Sequence, residues 1–437
     1  MAKSANFQLQ PQNAPFWTKP TAVFPVQTAI AHSGFLYSRE ANTQLTPLFY
    51  VLTASRLLKV QWWTETEVRF LEGNLQWTTI EAFEERDREQ TSRFGFNLRR
   101  GDWGCDFYVV GKGELDGWLE KLGEVAILGN IQEDYEMQGE IGRGGQSVVY
   151  MGRFRANGMK VAIKSYEKRQ LAESKQRGDS LRSEIEILRF LSHPSLAKLH
   201  RVYESDLTID LVMDFYDGIP LSKALFQPFT ETESFKFMLN LLDILDFLSD
   251  KHIVHRDIKP ENIILTDRAD RANFKLIDFG LAKWYEGVDL CDGSGSPGYY
   301  APEILKKRTH GPKVDIYAAG VLFYTLLEGV NPFHSPTIAE TIRRNLENDI
   351  NFNSSVWRGV SPTVISVIRV MTNLNPDERM NAHDLHTWLL RISGLKPVHK
   401  KLFPRRLSAQ LDTISLRVGN SSSRERRRSY RDKSADK

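Results

Sequence analysis

Cysteine is scarce in this sequence, since only Cys105 and Cys291 occur among its 437 residues. Two cysteines exclude a disulfide framework and fit a reducing compartment. Long apolar runs are also missing: no stretch reaches the length of about 18 apolar residues that indicates a transmembrane helix. Residues Met1–Pro20 lack the apolar core of a signal peptide. We therefore expect a cytoplasmic location, with peripheral membrane attachment as the alternative.

Charge is close to balanced, but it is unevenly placed. The formal net charge is +3, and residues 399–437 carry twelve Lys/Arg against four Asp/Glu, which leaves −5 for the rest of the chain. A basic tail therefore follows a mildly acidic body. Hydrophobic residues make up 41% and charged residues 26%, as in ordinary globular domains. The length favours a multidomain chain of two or three domains, and no nucleic-acid partner is expected.

Two polar motifs lie close together in the C-terminal half. The first is H-R-D-x-K-x-x-N within Val254–Leu265, and the second is D-F-G at Asp278–Gly280. Apolar, strand-like residues follow each motif. Asp and Asn are also common in turns, so a polar loop is the alternative interpretation, but the two motifs in this order disfavour it.

The motifs resemble the catalytic and metal-binding loops of the eukaryotic protein kinases, a resemblance that covers roughly the C-terminal two-thirds of the chain. It implies a bilobal α+β domain over residues 135–393, with a β-rich small lobe and a helical large lobe, and the cofactors ATP and Mg²⁺. Phosphoryl transfer has a loose transition state, so the protein mainly positions groups and neutralises charge. Asp257 should meet the incoming hydroxyl and Lys259 should offset phosphoryl charge. Asn262 and Asp278 should hold Mg²⁺ with hard oxygen ligands.

A glycine-rich segment, Ile141–Tyr150, matches G-x-G-x-x-(G)-x-V, in which glycines fold the backbone tightly over phosphates. Ser147 departs from the third glycine, and Gly145 offers some of the lost flexibility. Lys164 follows in V-A-I-K, and the resemblance assigns it to the α- and β-phosphates. The nucleotide-binding residues implied in this way are Ile141, Gly142, Gly144, Ser147, Val149, Ala162 and Lys164, with Ile264 below the adenine.

Lys164 needs a carboxylate partner, and the helical pattern over Leu181–Leu191 offers Glu184 and Glu186. Residues four apart share a helix face, which aligns Glu184 with the apolar Leu188. We therefore favour Glu184 as the partner, and a surface carboxylate is the alternative role for that residue.

The segment Leu211–Gly218, in which an apolar strand runs into a glycine turn, is typical of the hinge between the lobes. Met213 should guard the back of the pocket, and Asp214 and Tyr216 should bind the adenine edge through the backbone. Asp217 is the candidate for ribose contact, although Pro220 stands where many kinases carry an acid.

The segment Leu281–Glu303 resembles a kinase activation segment. Ser296 should bridge Asp257 and Lys259, and Lys259 itself favours serine or threonine substrates. Two structural contacts are also implied: Glu303 with Arg379, and Asp315 with the backbone of the catalytic loop.

Arg256 precedes Asp257, as in kinases whose activation segment is regulated by phosphorylation. Asp292, four residues before Ser296, occupies the position that corresponds to the phosphorylated residue of those kinases. A carboxylate there would pair with Arg256 as a weaker substitute for a phosphate, which predicts activity independent of phosphorylation. An exposed loop aspartate is the alternative.

The N-terminal region contains six short β-like runs between Gly34 and Val110, followed by a helical pattern over Glu114–Val125. This arrangement, with Trp118 on the helix, resembles a pleckstrin-homology (PH) domain over residues 33–128, a β-rich barrel with a C-terminal helix, after a flexible leader over residues 1–32. Phosphoinositide binding would need basic residues around the first hairpin, where only Arg39 occurs. Protein docking or a regulatory lid on the kinase domain are alternatives.

The basic tail, residues 394–437, contains Leu407, Leu411, Ile414 and Val418 at helical spacing. A basic amphipathic helix is typical of calmodulin targets and pseudosubstrates, and the kinase-like region looks closest to the calcium/calmodulin-dependent group. A disordered tail is the alternative.

The resemblance as a whole predicts a serine/threonine protein kinase acting on protein substrates, with an N-terminal targeting or regulatory module. A pseudokinase scaffold that binds partners through the PH-like module and the tail is the main alternative. A small-molecule kinase fits poorly, because Ser296–Glu303 is typical of kinases with protein substrates.

Overall fold

The computed structural model describes residues 9, 16–17, 30–38, 45–53, 56–63, 68–86, 90–285, 290 and 295–395. The chain divides into two compact units, Met1–His386 and Thr387–Lys437. Every residue of the candidate site lies in the first unit. None of the helices in these ranges is long and apolar enough to cross a membrane.

Seven antiparallel strands open the fold. They are β1 (Ile30–Ser38), β2 (Thr46–Thr53), β3 (Arg56–Trp63), β4 (Val68–Asn74), β5 (Thr79–Arg86), β6 (Ser92–Arg100) and β7 (Trp103–Val109). Their hydrogen-bonded order is β4-β3-β2-β1-β7-β6-β5. Within the described ranges β4 and β5 do not pair with each other, so the expected barrel is not closed.

Helix α1 (Lys112–Leu122) packs on this sheet as the sequence pattern predicts. It buries Leu115, Trp118 and Leu122, which lie on one helix face. Trp118 is fully buried in a core cluster with Phe96 and other strand residues. The spacing of apolar residues therefore identified the buried face correctly.

Part of the predicted flexible leader belongs to this core. Phe16 is buried and stacks on Trp103 at a centroid distance of 3.8 Å, and Trp17 forms a β-bridge with Gly73. A Cβ atom at Gly73 would lie 2.4 Å from Phe16, so glycine makes room for the aromatic ring. These contacts differ from the flexible leader expected over residues 1–32, because apolar aromatics gain free energy by burial even in a Gln- and Pro-rich segment.

The next elements are β8 (Ile127–Leu128), α2 (Ile131–Asp134), β9 (Tyr135–Arg143), β10 (Val148–Phe154), β11 (Lys160–Glu167), α3 (Lys168–Ala172), α4 (Lys175–Phe190), β12 (Leu199–Glu204) and β13 (Thr208–Asp214). Strand β8 pairs in parallel with β5 on one side and with β12 on the other. The N-terminal strands and the kinase-like strands therefore form one 13-stranded sheet.

Helices dominate the larger lobe, as expected. They are α5 (Leu221–Ala224), α6 (Glu231–Asp250), α7 (Pro302–Leu305), α8 (Lys313–Glu328), α9 (Ile338–Glu347), α10 (Pro362–Met371) and α11 (Ala382–Ser393). The short strands are β14 (Ile219–Pro220), β15 (Ile253–Val254), β16 (Ile263–Leu265), β17 (Phe274–Leu276) and β18 (Lys283–Trp284). Single turns of 3₁₀ helix cover Pro260–Asn262, Val356–Arg358 and Pro376–Glu378.

Helix α8 forms the centre of this lobe, and it is buried on all sides from Val314 to Leu327. A helix that is apolar around its whole circumference must be enclosed by others, and α6 and α10 pack against it. Gly320 allows the close approach of α10, because a Cβ atom there would lie 2.7 Å from Cβ of Met371.

Candidate active site

Lys164 lies at the small-lobe side of the site, buried on β11. Its Nζ donates to Glu184 Oε1 at 2.7 Å and to Asp278 Oδ1 at 2.8 Å. Burial alone would lower the pKa of Lys164, but the carboxylates of Asp278 and Glu184 raise that pKa well above its ordinary value. The ammonium therefore stays charged and joins the two lobes.

The structure separates the two carboxylates considered as partners of Lys164. Glu184 is buried against Lys164, which confirms the expected contact. Glu186 lies two residues further along α4, about 200° around the helix axis, and burial raises its pKa. Helical geometry thus places the two acids on different sides of the helix.

Tyr166 is a contact that sequence reasoning missed. Its hydroxyl donates to Glu184 Oε2 at 2.5 Å, so both oxygens of the buried carboxylate are bonded. Tyr166 lies two residues after Lys164, and side chains two apart in a strand share a face. That alternation is the signal that would have found it.

Asp278 is held as a carboxylate. Burial on its own would raise the pKa of Asp278, but the Lys164 ammonium and the Gly280 backbone N–H hold that pKa well below its usual range. The Gly280 N–H donates to Oδ1 at 2.9 Å. A Cβ atom at Gly280 would lie 3.2 Å from the same oxygen, so the turn suits glycine.

Asp257 lies in the large-lobe half of the site among three donors. Its Oδ1 accepts the Ser296 hydroxyl at 2.7 Å, and its Oδ2 lies 2.8 Å from Lys259 Nζ and 2.8 Å from Asn262 Nδ2. Lys259 Nζ also donates to Ser296 Oγ at 2.7 Å. The expected bridge from Ser296 to both Asp257 and Lys259 is therefore present.

Asn262 is buried, and its Nδ2 also donates to the Asp257 carbonyl at 2.8 Å. This orientation leaves Oδ1 as the amide oxygen able to face a cation. The part of the chain that the structure describes contains no group of three or more His, Cys, Asp or Glu able to hold a metal ion. Magnesium commonly takes one or two protein oxygens and completes its shell with water and phosphate, so Asn262 and Asp278 fit a magnesium-nucleotide rather than a closed protein cage.

Asp315 fixes the catalytic loop, as expected. From the start of α8 its carboxylate accepts the backbone N–H groups of His255 and Arg256, both at 2.7 Å. Arg256 has a φ of 66°, a left-handed conformation that is uncommon outside glycine, and these bonds help to hold it. Burial raises the pKa of Asp315 to about 6, against the opposing effect of the two backbone bonds.

His255 is a neutral, buried member of the same loop. Burial lowers its pKa to about 4. Its Nδ1 accepts the Asp257 N–H at 3.3 Å, and its ring lies 4.8 Å from the Phe279 ring. The imidazole therefore connects the H-R-D segment to the D-F-G segment.

The glycine-rich segment forms the turn between β9 and β10, where Val149 pairs with Gly142. The Gly144 N–H donates to the Ser147 carbonyl at 2.8 Å. A serine in place of the third glycine of the motif is therefore compatible with a tight turn. Ile141 is half exposed at its edge.

The residues expected around the adenine lie on neighbouring strands. Val149 on β10 pairs with Lys164 on β11, and Ala162 on β11 pairs with Met213 on β13. Ile264 is on β16 of the other lobe. Their contact with a nucleotide stays a prediction.

The hinge side chains are bonded among themselves. Asp214 lies 2.7 Å from His200 Nε2 and accepts the Tyr216 hydroxyl at 2.8 Å. These two side chains are thus occupied, so an adenine edge would bind main-chain groups of the hinge other than the Asp214 N–H, which donates to the Lys198 carbonyl at 3.1 Å. Asp217, the candidate for ribose contact, has a largely exposed side chain 3.7 Å from Lys160.

A buried ion pair supports the end of the activation segment. Arg379 donates Nη1 to Glu303 Oε1 at 2.6 Å and Nη2 to Oε2 at 2.7 Å. The expected pair is confirmed. Its two parallel bonds anchor α7 to the segment that follows α10.

Several sequence-based hypotheses fall outside the described residues. Asp292, the proposed partner of Arg256, is one of them, and residues 396–437 with the amphipathic pattern are another.

Comparison with known proteins places this site in a family. The model of the protein kinase domain matches residues 135–389. The chain is 35% identical over 281 residues to the probable serine/threonine-protein kinase 2 of Plasmodium falciparum (isolate K1 / Thailand), covering 63% of this chain and 54% of that protein. It is 33% identical over 301 residues to calcium-dependent protein kinase SK5 of Glycine max, covering 66% and 59% respectively.

A third relative is serine/threonine-protein kinase DCLK3 of Mus musculus, 36% identical over 270 residues, or 60% of this chain and 34% of that protein. The chain thus spans only about a third to three fifths of the length of these relatives. The family match covers more than half of this chain. Together with the Lys164, Asp257 and Asp278 geometry, it shows that the chain belongs to the protein kinase family.

Proposed function

We propose that this protein is a serine/threonine protein kinase that transfers the γ-phosphoryl group of ATP to hydroxyls of protein substrates. One observation carries the proposal: Asp257, Lys259 and Ser296 are mutually hydrogen-bonded, each pair within 2.8 Å. Ser296, bonded to both Asp257 and Lys259, would orient a serine or threonine hydroxyl of a substrate toward the Asp257 carboxylate. The kinase relatives support the same reaction.

In this mechanism Asp257 accepts the proton of the incoming hydroxyl at its carboxylate. Lys259, already 2.8 Å from Asp257 Oδ2, offsets the negative charge of the transferring group. Its charge matters because the reaction depends on positioning and electrostatic stabilisation.

On the nucleotide side, Lys164 would bind the α- and β-phosphates and Glu184 would orient it. Asn262 and Asp278 would hold Mg²⁺, which supplies charge neutralisation at the phosphates when bound. The remaining contacts proposed for ATP are those of Ile141, Gly142, Gly144, Ser147, Val149, Ala162, Asp214, Tyr216 and Ile264.

The assay that tests the proposal uses the full chain with Mg-ATP labelled at the γ-phosphate and a positional peptide library. Asp257→Asn should reduce transfer by about 100-fold or more, because the amide cannot accept the proton of the incoming hydroxyl. Asp206→Asn, in the exposed β12–β13 turn, is the matched control and should retain activity. Equal transfer by wild type and Asp257→Asn would refute the proposal.

A pseudokinase scaffold is the alternative, and the site disfavours it. Lys164, Glu184, Asp257, Asn262 and Asp278 are all present, and Ser147 is the only departure within the glycine-rich and catalytic motifs. Nucleotide binding without any transfer in the library assay would favour the scaffold.

We also propose the domain organisation: a leader over 1–32, a PH-like module over 33–128, the kinase domain over 135–393 and a basic tail over 394–437. The strand order and the buried Trp118 on α1 support a PH-like module. Its candidate role is targeting or regulation. Targeting could include weak phosphoinositide contact, which a vesicle-binding assay would test.

For the tail we propose calmodulin binding or autoinhibition, on the strength of its basic amphipathic pattern. Relatives named calcium-dependent protein kinases are compatible with this. The test of this regulatory role is to remove residues 399–437 and to assay the calcium dependence of activity. An unchanged rate and an unchanged calcium response would refute the regulatory role. We propose a cytoplasmic location from the cysteine content, and peripheral membrane attachment through the PH-like module is the alternative.

A further inference from the structure

The 13-stranded sheet has a gap where the N-terminal strands meet the kinase domain. Strand β8 pairs with β5 only at Thr79 and Ile80, whereas β6 pairs with β5 along its whole length to Arg86. After Leu128 the chain leaves the sheet and enters α2. From residue 81 onward, β5 therefore has a neighbouring strand on one edge only, among the residues that the structure describes.

The main-chain groups on this free edge of β5 are identified by the ladder to β8. The Ile127 N–H donates to the Thr78 carbonyl at 2.8 Å, so that carbonyl faces β8. In the antiparallel β5–β6 pair, residues alternate between bonding to the partner strand and facing away from it. The N–H and C=O groups of Ala82 and Glu84 therefore lie on the edge that β8 leaves uncovered. Both residues are exposed, and such an edge is a template for another strand.

The free edge forms one wall of a large cleft. Its volume is about 1920 Å³, which exceeds the range of roughly 300–1,000 Å³ typical of small-molecule pockets. Leu119 of α1 lines the cleft on the N-terminal side, and Phe154 and Tyr203 line it on the kinase side. An extended segment of polypeptide fits this combination of size and open sheet edge.

Acidic residues dominate the cleft, which is lined by eight carboxylates and three cations. Two of the cations are already paired, Arg201 with Asp134 and Lys168 with Glu204, each at 2.8 Å. Glu81 on β5 itself is exposed. Charged side chains on an edge strand oppose indiscriminate pairing, and negative charge here selects a strand that carries lysine or arginine.

Arg100 gives an independent indication that the cleft binds a ligand. It lines the cleft and is only 7% exposed. Its Nη1 donates to the Asn74 carbonyl at 3.2 Å, but its Nε has no partner among the described residues. A buried donor without an acceptor is costly, and a main-chain carbonyl of a bound segment would supply the missing acceptor.

We propose that this cleft is a docking site for an extended segment of a partner protein that is rich in lysine or arginine. The segment adds to β5 as a further strand beyond β8, with its main chain bonded to Ala82 and Glu84. Its basic side chains meet the acids of the cleft, among them Glu81 and Asp116. Docking does not involve phosphoryl transfer, so this site adds a protein-binding function to the proposed kinase.

The probe is a blocked, fluorescein-labelled peptide of about eight alternating Lys and Val residues, long enough to span the free edge of β5. We expect saturable binding to the full chain in the absence of nucleotide, and about tenfold weaker binding of the corresponding Glu–Val peptide. Ala82→Pro removes an N–H of the free edge, where proline is tolerated, and should weaken Lys–Val binding about tenfold or more. No saturable binding up to about 1 mM peptide, or unchanged binding by Ala82→Pro, would overturn the proposal.

Peptides that are N-methylated at alternate residues test strand addition on the unaltered chain. Methylation of one alternate set should abolish binding and methylation of the other should not, because only one set of N–H groups faces β5. Equal losses with the two sets would mean that no strand is added, and the proposal would fail.

Charge selection is tested by the double variant Glu81→Lys with Asp116→Lys, which should reduce the preference for the Lys–Val peptide about fivefold or more. Glu136→Lys with Glu347→Lys is the matched control, because both acids are exposed and lie outside the cleft. The control should keep the preference. Equal effects of the two double variants would show that the cleft does not recognise the basic residues.

Discussion

Tyr166 donates its hydroxyl to Glu184 Oε2 at 2.5 Å, while Lys164 bonds the other oxygen of the same carboxylate at 2.7 Å. Glu184 is therefore held between a phenol and an ammonium, and its orientation does not depend on Lys164 alone. Burial raises the pKa of Tyr166 well above its ordinary value, so the hydroxyl remains a donor.

Tyr166→Phe should lower kcat/KM for ATP about tenfold, because a hydrogen bond to a charged group contributes roughly 1.5 kcal/mol or more. The KM for peptide should not change. Tyr324→Phe is the matched control, since it loses a bond to the Asn351 carbonyl at 2.7 Å in the large lobe. Steady-state kinetics at varied ATP measure the effect, and equal losses in the two variants would contradict a specific role.

Asp278→Asn should remove the effect of magnesium on nucleotide binding. In the wild type we expect Mg²⁺ to tighten ATP binding by about tenfold or more, because the carboxylate and the phosphates share the ion. Calorimetric titration with and without EDTA checks this. Asp267→Asn, an exposed loop substitution, should leave the magnesium response intact. A magnesium response that survives in Asp278→Asn would place the ion elsewhere.

Arg379→Met should destabilise the fold by about 3–5 kcal/mol, because it leaves Glu303 buried without its partner. Chemical unfolding monitored by tryptophan fluorescence measures the loss. Arg343→Met, which removes exposed bonds to Glu340 and Glu347 on α9, should leave the midpoint unchanged. Equal unfolding midpoints for Arg379→Met and Arg343→Met would show that the buried ion pair contributes no more to stability than the exposed ones.

The stability difference between wild type and Asp315→Asn should depend on pH. Burial raises the pKa of Asp315 to about 6 from an ordinary value of 3.8. The contribution of this group to stability is therefore fully present below about pH 4 and lost as the pH rises through about 6. The wild type should lose up to roughly 3 kcal/mol relative to the asparagine variant across that window. Urea unfolding between pH 4 and pH 7 checks it, and a constant difference would show that Asp315 does not titrate there.

The motifs predicted the centre of the site well because its chemistry restricts residue type and spacing together. Lys164 with Glu184, Ser296 with Asp257 and Lys259, and Glu303 with Arg379 are all contacts that the sequence indicated. Helical periodicity was also sufficient to choose Glu184 over Glu186. These inferences depend on local geometry, which neighbouring residues determine.

Contacts between distant segments were harder to foresee. The Asp214 carboxylate in the hinge is bonded to both Tyr216 and His200, which the strand pattern does not reveal. The packing of Phe16 on Trp103 and the pairing of β8 with two separate strands both join segments far apart in the chain. Long-range pairing depends on the whole set of competing surfaces, so local patterns in the sequence do not specify it.

Strand β8 contains only two residues, yet both of its edges are engaged in parallel ladders. Because β8 is hydrogen-bonded on both edges, it cannot act as a flexible hinge. Rotation of β5 relative to β12 would break one of the two ladders. Rotational diffusion should thus report a single tumbling particle for the strands on either side of β8. Inserting one residue next to Ile127 would exchange the inward-facing and outward-facing side chains of β8. The connection formed by β8 should therefore tolerate changes of length far less well than an ordinary interdomain linker.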